Sequence, residues 1–276
     1  MITKSGVIRY CKWNENNDFL YHYTTDNALF SILKGMSFRL SSFNPKLDDP
    51  VDGEALNRLY YTMKEDNTKK NDIIQILSKY RLISMTSDYK TIDNIAVNGG
   101  ENSLLWYMYG REYKGACIVF NKKTLLEKIR HIGWNVDTVS VQYGRLYPNI
   151  TLSDLKFEST KKNDVLCWKE NSWGEQKEER VLCYSNTPIS SLFDVTGAID
   201  HIILGYRFTE YKKLYEAIFS DDSKAYGMFY SESFSGVKFS GGFIEEGEIK
   251  EFSDFLMGHP DFKSINEEIK KKAEAE

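Results

Sequence analysis

Short runs of β-branched and aromatic residues, separated by segments with helical spacing, constrain the fold of this chain most. The clearest runs cover residues 116–120, 138–143, 180–184 and 199–204. Such runs are typical of buried strands, and apolar side chains at helical spacing follow the first of them, over residues 122–131. The pattern predicts an α+β fold, with a mixed, mostly antiparallel and curved sheet surrounded by helices.

The segment after the first 18 residues has the pattern of a strand, a short helix and a second strand. We expect the first strand over residues 19–24. Thr25 or Asp26 can cap the helix, and Gly35 can end it. The second strand is predicted over residues 37–41.

Weaker patterns organise the rest of the chain. We expect helices over residues 55–63, 71–80 and 206–219, an acidic turn-rich loop over 43–54, a flexible loop over 89–101 and a terminal hairpin over 229–244. The five prolines are scattered and mark no linker. The chain is therefore predicted to have an N-terminal extension over residues 1–18, a single α+β domain over 19–262 and a charged C-terminal helix or tail over 263–276.

Composition narrows the function classes. The chain has 276 residues and a formal net charge of -4, which argues against a general polyanion binder. The first 19 residues include Lys4, Arg9 and Glu15 and so lack the apolar core of a signal peptide, and no segment has 18 consecutive apolar residues. We expect a cytoplasmic protein without membrane contact. The cysteines show no metal-ligand spacing, so we expect neither a disulfide framework nor a metal.

A histidine inside the first predicted strand is the first candidate for chemistry. His22 alternates with Tyr21 and Tyr23, so it faces the opposite side of the strand. Thr24 and Ser41 at strand ends add polar groups to an apolar sheet. The alternative is a hydrogen-bonded core histidine without a ligand.

Acidic residues crowd the start of a later strand. Glu175, Glu178 and Glu179 would repel one another, and we expect Lys177 and Arg180 to relieve that repulsion. A carboxylate that faces a cleft here could act as a general base or accept a hydrogen bond from a ribose hydroxyl. The alternative is a solvated charged loop.

Aromatic residues three apart form a third candidate. Trp106 and Tyr109 would share one helix face, which favours packing in the core, although Tyr109 could also wall an aromatic pocket. P-loop, dinucleotide-fold, zinc-protease and α/β-hydrolase motifs do not occur. His131, His201 and His259 have no acid or cysteine at a suggestive spacing, and we assign His201 to the core.

In order along residues 19–220, the chain resembles a bacterial family catalogued as domain of unknown function 2971. The resemblance is carried by Tyr21-His22-Tyr23-Thr24, Arg39-Leu40-Ser41, Leu47-Asp48-Asp49-Pro50, Leu105-Trp106, residues 115–120, Lys169, Trp173, Glu178, Arg180 and residues 199–205. Gln176 stands where that family usually has Glu.

One level deeper, the chain is similar to ADP-ribosyltransferases, and this implies an ADP-ribosyltransferase-like sheet. Their opening strand with His-x-Thr corresponds to His22 and Thr24, and their Gln-x-Glu before a strand corresponds to Gln176 and Glu178. The resemblance implies that NAD is the substrate and that Glu178 stabilises an oxocarbenium-like state.

The same resemblance implies roles for the other candidates. His22, Gln176 and Glu178 would be catalytic, and the residues that bind NAD would be His22, Tyr23, Thr24, Arg39, Ser41 and Tyr109. His22 and Thr24 would bond the adenosine ribose or the nicotinamide amide, Gln176 would orient the acceptor, and Tyr109 would stack on nicotinamide. We expect Glu178→Ala to abolish NAD turnover while leaving the thermal midpoint nearly intact.

We favour an enzyme of the toxin or phage-defence kind, which modifies a protein or nucleic-acid acceptor, with protein preferred, and which an inhibitor or antitoxin could control. One alternative is a non-catalytic ligand- or partner-binding module with Asp48, Asp49, Asp52, Trp106 and Trp173 at its surface. Another is a nuclease-like metal enzyme that uses Asp48, Asp49, Asp52 and Glu54.

Overall fold

The computed structural model describes residues 18–43, 67–91, 93–145, 151–219, 223–225 and 236–240. The predicted N-terminal extension up to residue 17, the helix over 55–63, nearly all of the acidic loop over 43–54 and the C-terminal tail lie outside these residues.

An eight-stranded sheet forms the centre of the described chain. Its strands are β1 (Phe19–Thr24), β3 (Ser41–Ser42), β4 (Tyr80–Thr86), β7 (Ala116–Asn121), β8 (Asn135–Ser140), β11 (Glu178–Tyr184), β13 (Ile199–Leu204) and β14 (Gly236–Phe239). The order is β14-β13-β7-β1-β4-β11-β8, and β3 also pairs with β4. Adjacent strands are antiparallel except β13 and β14, which are parallel.

Three two-stranded ladders lie outside this sheet. They pair β2 (Ser37–Arg39) with β12 (Leu192–Asp194), β5 (Tyr89–Lys90) with β6 (Ala96–Val97), and β9 (Gln142–Gly144) with β10 (Trp168–Glu170). The α-helices are α1 (Asp26–Gly35), α2 (Asn67–Ser78), α3 (Ser103–Met108), α4 (Lys122–His131), α5 (Lys162–Leu166) and α6 (Tyr211–Phe219), and short 3₁₀ helices cover Gly99–Glu101, Leu152–Leu155 and Asn171–Gln176. The predicted α+β class with a mostly antiparallel sheet is confirmed.

The first helix begins where the sequence predicts, but a residue other than the expected glycine adopts the left-handed conformation at its C-terminal end. Thr25 caps it by accepting a hydrogen bond from the backbone N–H of Ala28. Gly35 is the last helical residue, and the left-handed conformation that glycine usually supplies falls on Met36, at φ 42°. Met36 is fully buried in the core, so its packing offsets that strain.

Several predicted elements differ in detail. The strand over residues 37–41 is divided at Leu40, the strand over 138–143 is divided at Val141, and the loop over 89–101 holds the β5–β6 hairpin and a 3₁₀ helix. The last predicted helix begins at Tyr211. Within the predicted terminal hairpin, the described part is β14, which pairs in parallel with β13.

The sheet is buried on both faces. The larger cluster lies on one face and includes Leu20, Phe38, Met85, Ile118 and Val181. Two further clusters hold residues whose side chains alternate with these, among them Tyr21, Tyr23, Val119, Leu182 and Tyr184. Burial on both faces explains why most of these strands read as continuous apolar runs.

The ladder between β1 and β4 is nearly absent. One residue pair, Tyr21 with Thr86, joins the two strands, whereas β1 pairs with β7 along its whole length. Beyond that pair, the two halves of the sheet diverge.

Candidate functional site

The divergence of β1 and β4 opens a cavity of about 630 Å³. Residues from both faces of the sheet line it, including Tyr21 and His22 from β1 and Ser84 and Met85 from β4. A volume of a few hundred cubic ångströms is in the range of small-molecule sites.

The structure brings to this cavity every residue to which the resemblance to ADP-ribosyltransferases gave a catalytic or binding role. The lining includes His22, Tyr23, Thr24, Arg39, Ser41, Tyr109, Gln176 and Glu178. They come from the first strand, from the short strands after α1, from the residue after α3, from the 3₁₀ helix before β11 and from the start of β11. Segments far apart in sequence thus meet in one place.

His22 spans the gap between the diverging strands. Its Nδ1 lies 3.2 Å from the carbonyl oxygen of Ser84, and its ring makes an edge contact with Phe38 at 4.8 Å between centroids. Because a carbonyl only accepts, Nδ1 carries the proton. Burial lowers the pKa of His22 to about 4, against a smaller opposing effect of the Ser84 bond. At neutral pH the ring is therefore uncharged, and Nε2 is an acceptor.

Glu178 is held between two cations at the start of β11. Its Oε1 accepts a hydrogen bond from Nε of Arg180 at 2.8 Å, and its Oε2 lies 2.6 Å from Nζ of Lys169. The Oε2 contact is a buried ion pair. The Glu178 N–H donates to the hydroxyl of Tyr143 at 2.9 Å. Lys169 and Arg180 thus hold the side chain of Glu178, and Tyr143 holds its backbone N–H.

These cations decide the charge state of Glu178. Burial alone would raise its pKa, but Arg180 and Lys169 outweigh burial and hold the pKa at about 2. The carboxylate is ionised at any physiological pH and is a poor proton acceptor. Of the two roles expected from sequence, hydrogen-bond acceptor for a hydroxyl suits it, and general base does not.

Gln176 lies beside this carboxylate and is also buried. Its Oε1 accepts a hydrogen bond from Lys169 at 2.8 Å, and its Nε2 lies 3.4 Å from the hydroxyl of Tyr109. Tyr109 follows the last residue of α3 and is 39% exposed, whereas Trp106 is 1% exposed. The expected packing in the core holds for Trp106, whereas Tyr109 walls the cavity.

A buried network joins the Gln176 turn to β1. The hydroxyl of Tyr23 donates to the carbonyl of Gly99 at 2.6 Å and accepts from the N–H of Asn102 at 3.1 Å. Asn102 donates in turn from Nδ2 to the carbonyl of Glu175 at 2.8 Å. The glycine at 99 is required, because a Cβ there would overlap the ring of Tyr21.

The acidic segment differs from a solvated loop. Glu178 and Glu179 are each 6% exposed, so that alternative is wrong for both. Glu179 pairs with Lys122 at 2.6 Å, on the face of β11 opposite Glu178. Of the two cations expected to relieve the repulsion, Arg180 does so. The other expected cation was Lys177. In the structure, Lys169 pairs with Glu178 and Lys122 pairs with Glu179.

Lys169 and Tyr143 are the site residues that the motifs did not assign. Lys169 was visible only as part of a family resemblance, because a lysine in a polar segment normally indicates exposure. Tyr143 had a strand signal and, with Val141 and Gln142, a place in the same family resemblance, but no assigned role. Neither contact could be found without the pairing of β9 with β10.

His201 is buried, as expected, but it has an acidic neighbour. Its Nδ1 lies 2.6 Å from Oδ2 of Asp200, the preceding residue. Because the two residues are adjacent, the spacing of acids along the sequence did not indicate this contact.

The described part of the chain holds neither a candidate membrane span nor a candidate metal cluster. None of its helices has both the length and the apolar character needed to span a membrane. No cluster of three or more His, Cys, Asp or Glu side chains there could hold a metal ion. The acidic residues of the nuclease-like alternative lie outside the described residues.

Comparison with known proteins gives one match. Residues 105–181 match the model of a family described as "Protein of unknown function (DUF2971)". The match supports the family resemblance seen in the sequence, and it includes Tyr109, Lys169, Gln176 and Glu178 but not β1. No curated protein and no solved structure matches the chain.

Proposed function

We propose that the protein is an ADP-ribosyltransferase, or a related enzyme that cleaves the nicotinamide glycosidic bond of NAD. The observation that carries this proposal is the meeting of His22, Gln176 and Glu178 at one cavity. The resemblance assigns these residues from their order along the chain, and His22 lies far in sequence from Gln176 and Glu178.

The groups around the cavity suit the substrate. Arg39 at an exposed position can attract a phosphate, Tyr109 offers an aromatic face, and Nε2 of neutral His22 can accept a hydrogen bond from a hydroxyl or an amide. Thr24 and Ser41 add hydroxyl groups to the lining. The volume of about 630 Å³ is of the size that small-molecule ligands occupy.

The proposed chemistry needs a carboxylate that is charged before the reaction begins. When the bond between the ribose carbon and the nicotinamide nitrogen breaks, both electrons leave with neutral nicotinamide, and positive charge develops on the ribose. Glu178, ionised at neutral pH, would accept a hydrogen bond from a ribose hydroxyl and stabilise that charge. An acceptor nucleophile or water then bonds the ribose carbon and loses its proton to solvent.

A second candidate is a binding module that holds such a ligand without cleaving it. The pairing of Glu178 with both Lys169 and Arg180 favours this candidate. Two adjacent cations weaken the attraction between the carboxylate and a developing positive charge. Under this alternative, NAD or a related nucleotide binds the cavity and stays intact.

For the enzyme, we propose an acceptor outside the cavity, with a protein favoured over a nucleic acid because the whole chain carries a net charge of -4. Toxin or phage-defence activity, and control by an inhibitor, belong to the same proposal.

Nicotinamide release from NAD tests the proposal. Wild-type protein should release nicotinamide, and Glu178→Gln should release at least 100-fold less while still binding NAD. The matched control is Glu179→Gln, which removes the neighbouring carboxylate on the other face of the strand. Circular dichroism would confirm that each variant is folded. Binding without release by wild type would favour the binding module, and neither binding nor release would exclude both.

A further inference from the structure

We infer that Lys169 is the positioning residue of this site and that it orients the amide of Gln176 and the carboxylate of Glu178 together. The inference deepens the proposed function, on which its activity readout rests. Lys169 lies on β10, lines the cavity and is 2% exposed. Its ammonium group is 2.8 Å from Oε1 of Gln176 and 2.6 Å from Oε2 of Glu178.

The chemistry of the ammonium group fixes which end of the amide it meets. An ammonium has three donors and no acceptor, so the amide oxygen must face Lys169. The Nε2 of Gln176 then lies on the side of Tyr109, at 3.4 Å from its hydroxyl. Gln176 therefore offers N–H donors to a ligand, whereas Glu178 offers an acceptor.

This arrangement selects the chemistry of the bound groups. The group beside Gln176 must carry an acceptor oxygen, such as a carbonyl or a hydroxyl, and the group beside Glu178 must carry a donor, such as a ribose hydroxyl. A glutamine rotated by half a turn would present the opposite pattern. The contact with Lys169 excludes that rotation.

Arg180 also contacts Glu178, but it makes a different second contact from Lys169. It contacts Oε1 of Glu178 and donates to the carbonyl of Leu166 at 2.6 Å, so it ties the carboxylate to the backbone. Lys169 contacts both Gln176 and Glu178, the two side chains that would meet the ligand under the proposed function. Loss of Lys169 should thus disturb Gln176 and Glu178 together.

The chain supplies a matched control. Lys122 lies 2.6 Å from Glu179, the residue after Glu178, and both carboxylates are at most 8% exposed. Neither Lys122 nor Glu179 lines the cavity. Lys122 lies on α4, so Lys122→Met removes the cation that pairs with Glu179 of β11 and changes no residue that lines the cavity.

The experiment compares Lys169→Met, Lys169→Arg and Lys122→Met with wild type. NMR would follow the side-chain amide signals of Gln176 and the pH titration of Glu178, and nicotinamide release from NAD would be measured across pH. In Lys169→Met, the amide signals should move, the titration of Glu178 should shift to higher pH, and kcat should fall about 100-fold with little change in KM. The acid limb of the pH profile should also move to higher pH.

Lys169→Arg separates charge from geometry. It keeps the positive charge, so the acid limb should stay at its wild-type position, but its planar group should displace the Gln176 amide and lower kcat. If Lys169→Met does not fold, the Gln176 signals and the kcat of Lys169→Arg decide whether Lys169 positions the site. Lys122→Met should resemble wild type in every readout.

A folded Lys169 variant with unchanged Gln176 signals and unchanged Glu178 titration would overturn the inference. Absence of nicotinamide release by wild type would instead contradict the proposed function. The two NMR readouts would still decide the role of Lys169 in that case, so the two failures are distinguishable.

Discussion

Nδ1 of His22 on β1 donates to the carbonyl oxygen of Ser84 on β4, at 3.2 Å, where the backbone ladder between the two strands has ended. A side chain thus closes part of a gap that the backbone leaves open. The same bond fixes the tautomer of the ring and makes Nε2 the acceptor. The bond between His22 and Ser84 therefore both connects β1 with β4 and leaves Nε2 free of a proton for the proposed ligand.

His22→Asn should separate the two roles of the histidine. The Nδ2 of asparagine can reach the position of Nδ1 and keep the bond to Ser84, but it has no equivalent of Nε2. We expect about tenfold weaker NAD binding with a near-normal free energy of unfolding, measured by calorimetry and urea unfolding. His22→Ala should reduce both the affinity for NAD and the free energy of unfolding. Equal NAD affinity in wild type and His22→Asn would remove His22 from the binding site.

Acidification should destabilise the protein in a window set by His22. The folded pKa of about 4 lies below the ordinary 6.5, so the unfolded chain binds more protons between these values, and the free energy of unfolding falls as pH drops from 6.5 towards 4. Urea unfolding at pH 7.0 and 5.0 would measure the loss. His22→Asn should lose less stability than wild type. His131→Gln, which removes an exposed imidazole, should behave like wild type, and an equal loss in His22→Asn would contradict this assignment.

The sequence predicted the class of the fold and the first strand and helix, and the resemblance to ADP-ribosyltransferases named eight of the residues that line the cavity. The runs over 116–120 and 199–204 identify strands because both faces of the sheet are buried. It did not predict the breaks at Leu40 and Val141, where the chain passes from one ladder to another. Such breaks depend on pairing between distant strands. The burial of Lys169 also depends on such pairing, because local composition would place this lysine at the surface.

Glu178→Ala should destabilise the protein, contrary to what the sequence alone led us to expect. The substitution leaves Lys169 and Arg180 buried without their carboxylate, and breaking a buried pair in this way costs about 3–5 kcal/mol. Glu170→Ala, at an exposed position on β10, is the matched control and should change the free energy of unfolding by less than about 0.5 kcal/mol. Urea unfolding at pH 7 would measure both. Equal stability of the two variants would mean that the ion pairs do not form in solution.

Tyr143→Phe should loosen the start of β11. The hydroxyl of Tyr143 accepts from the N–H of Glu178 at 2.9 Å, and phenylalanine would leave that N–H without this acceptor. We expect a loss of about 1–3 kcal/mol in the free energy of unfolding and faster hydrogen exchange at the Glu178 amide. Tyr107→Phe, where the side chain is 64% exposed, provides the comparison. Unchanged exchange in Tyr143→Phe would show that another group satisfies the amide.

The most direct test of the proposed function is a calorimetric titration of the wild-type protein with NAD, followed by chromatography of the same sample. We predict saturable binding at one site per chain and the appearance of free nicotinamide, with both reduced when His22 is replaced by Asn. Absence of heat and absence of nicotinamide, with folded protein and with protein and nucleic-acid acceptors added, would contradict it.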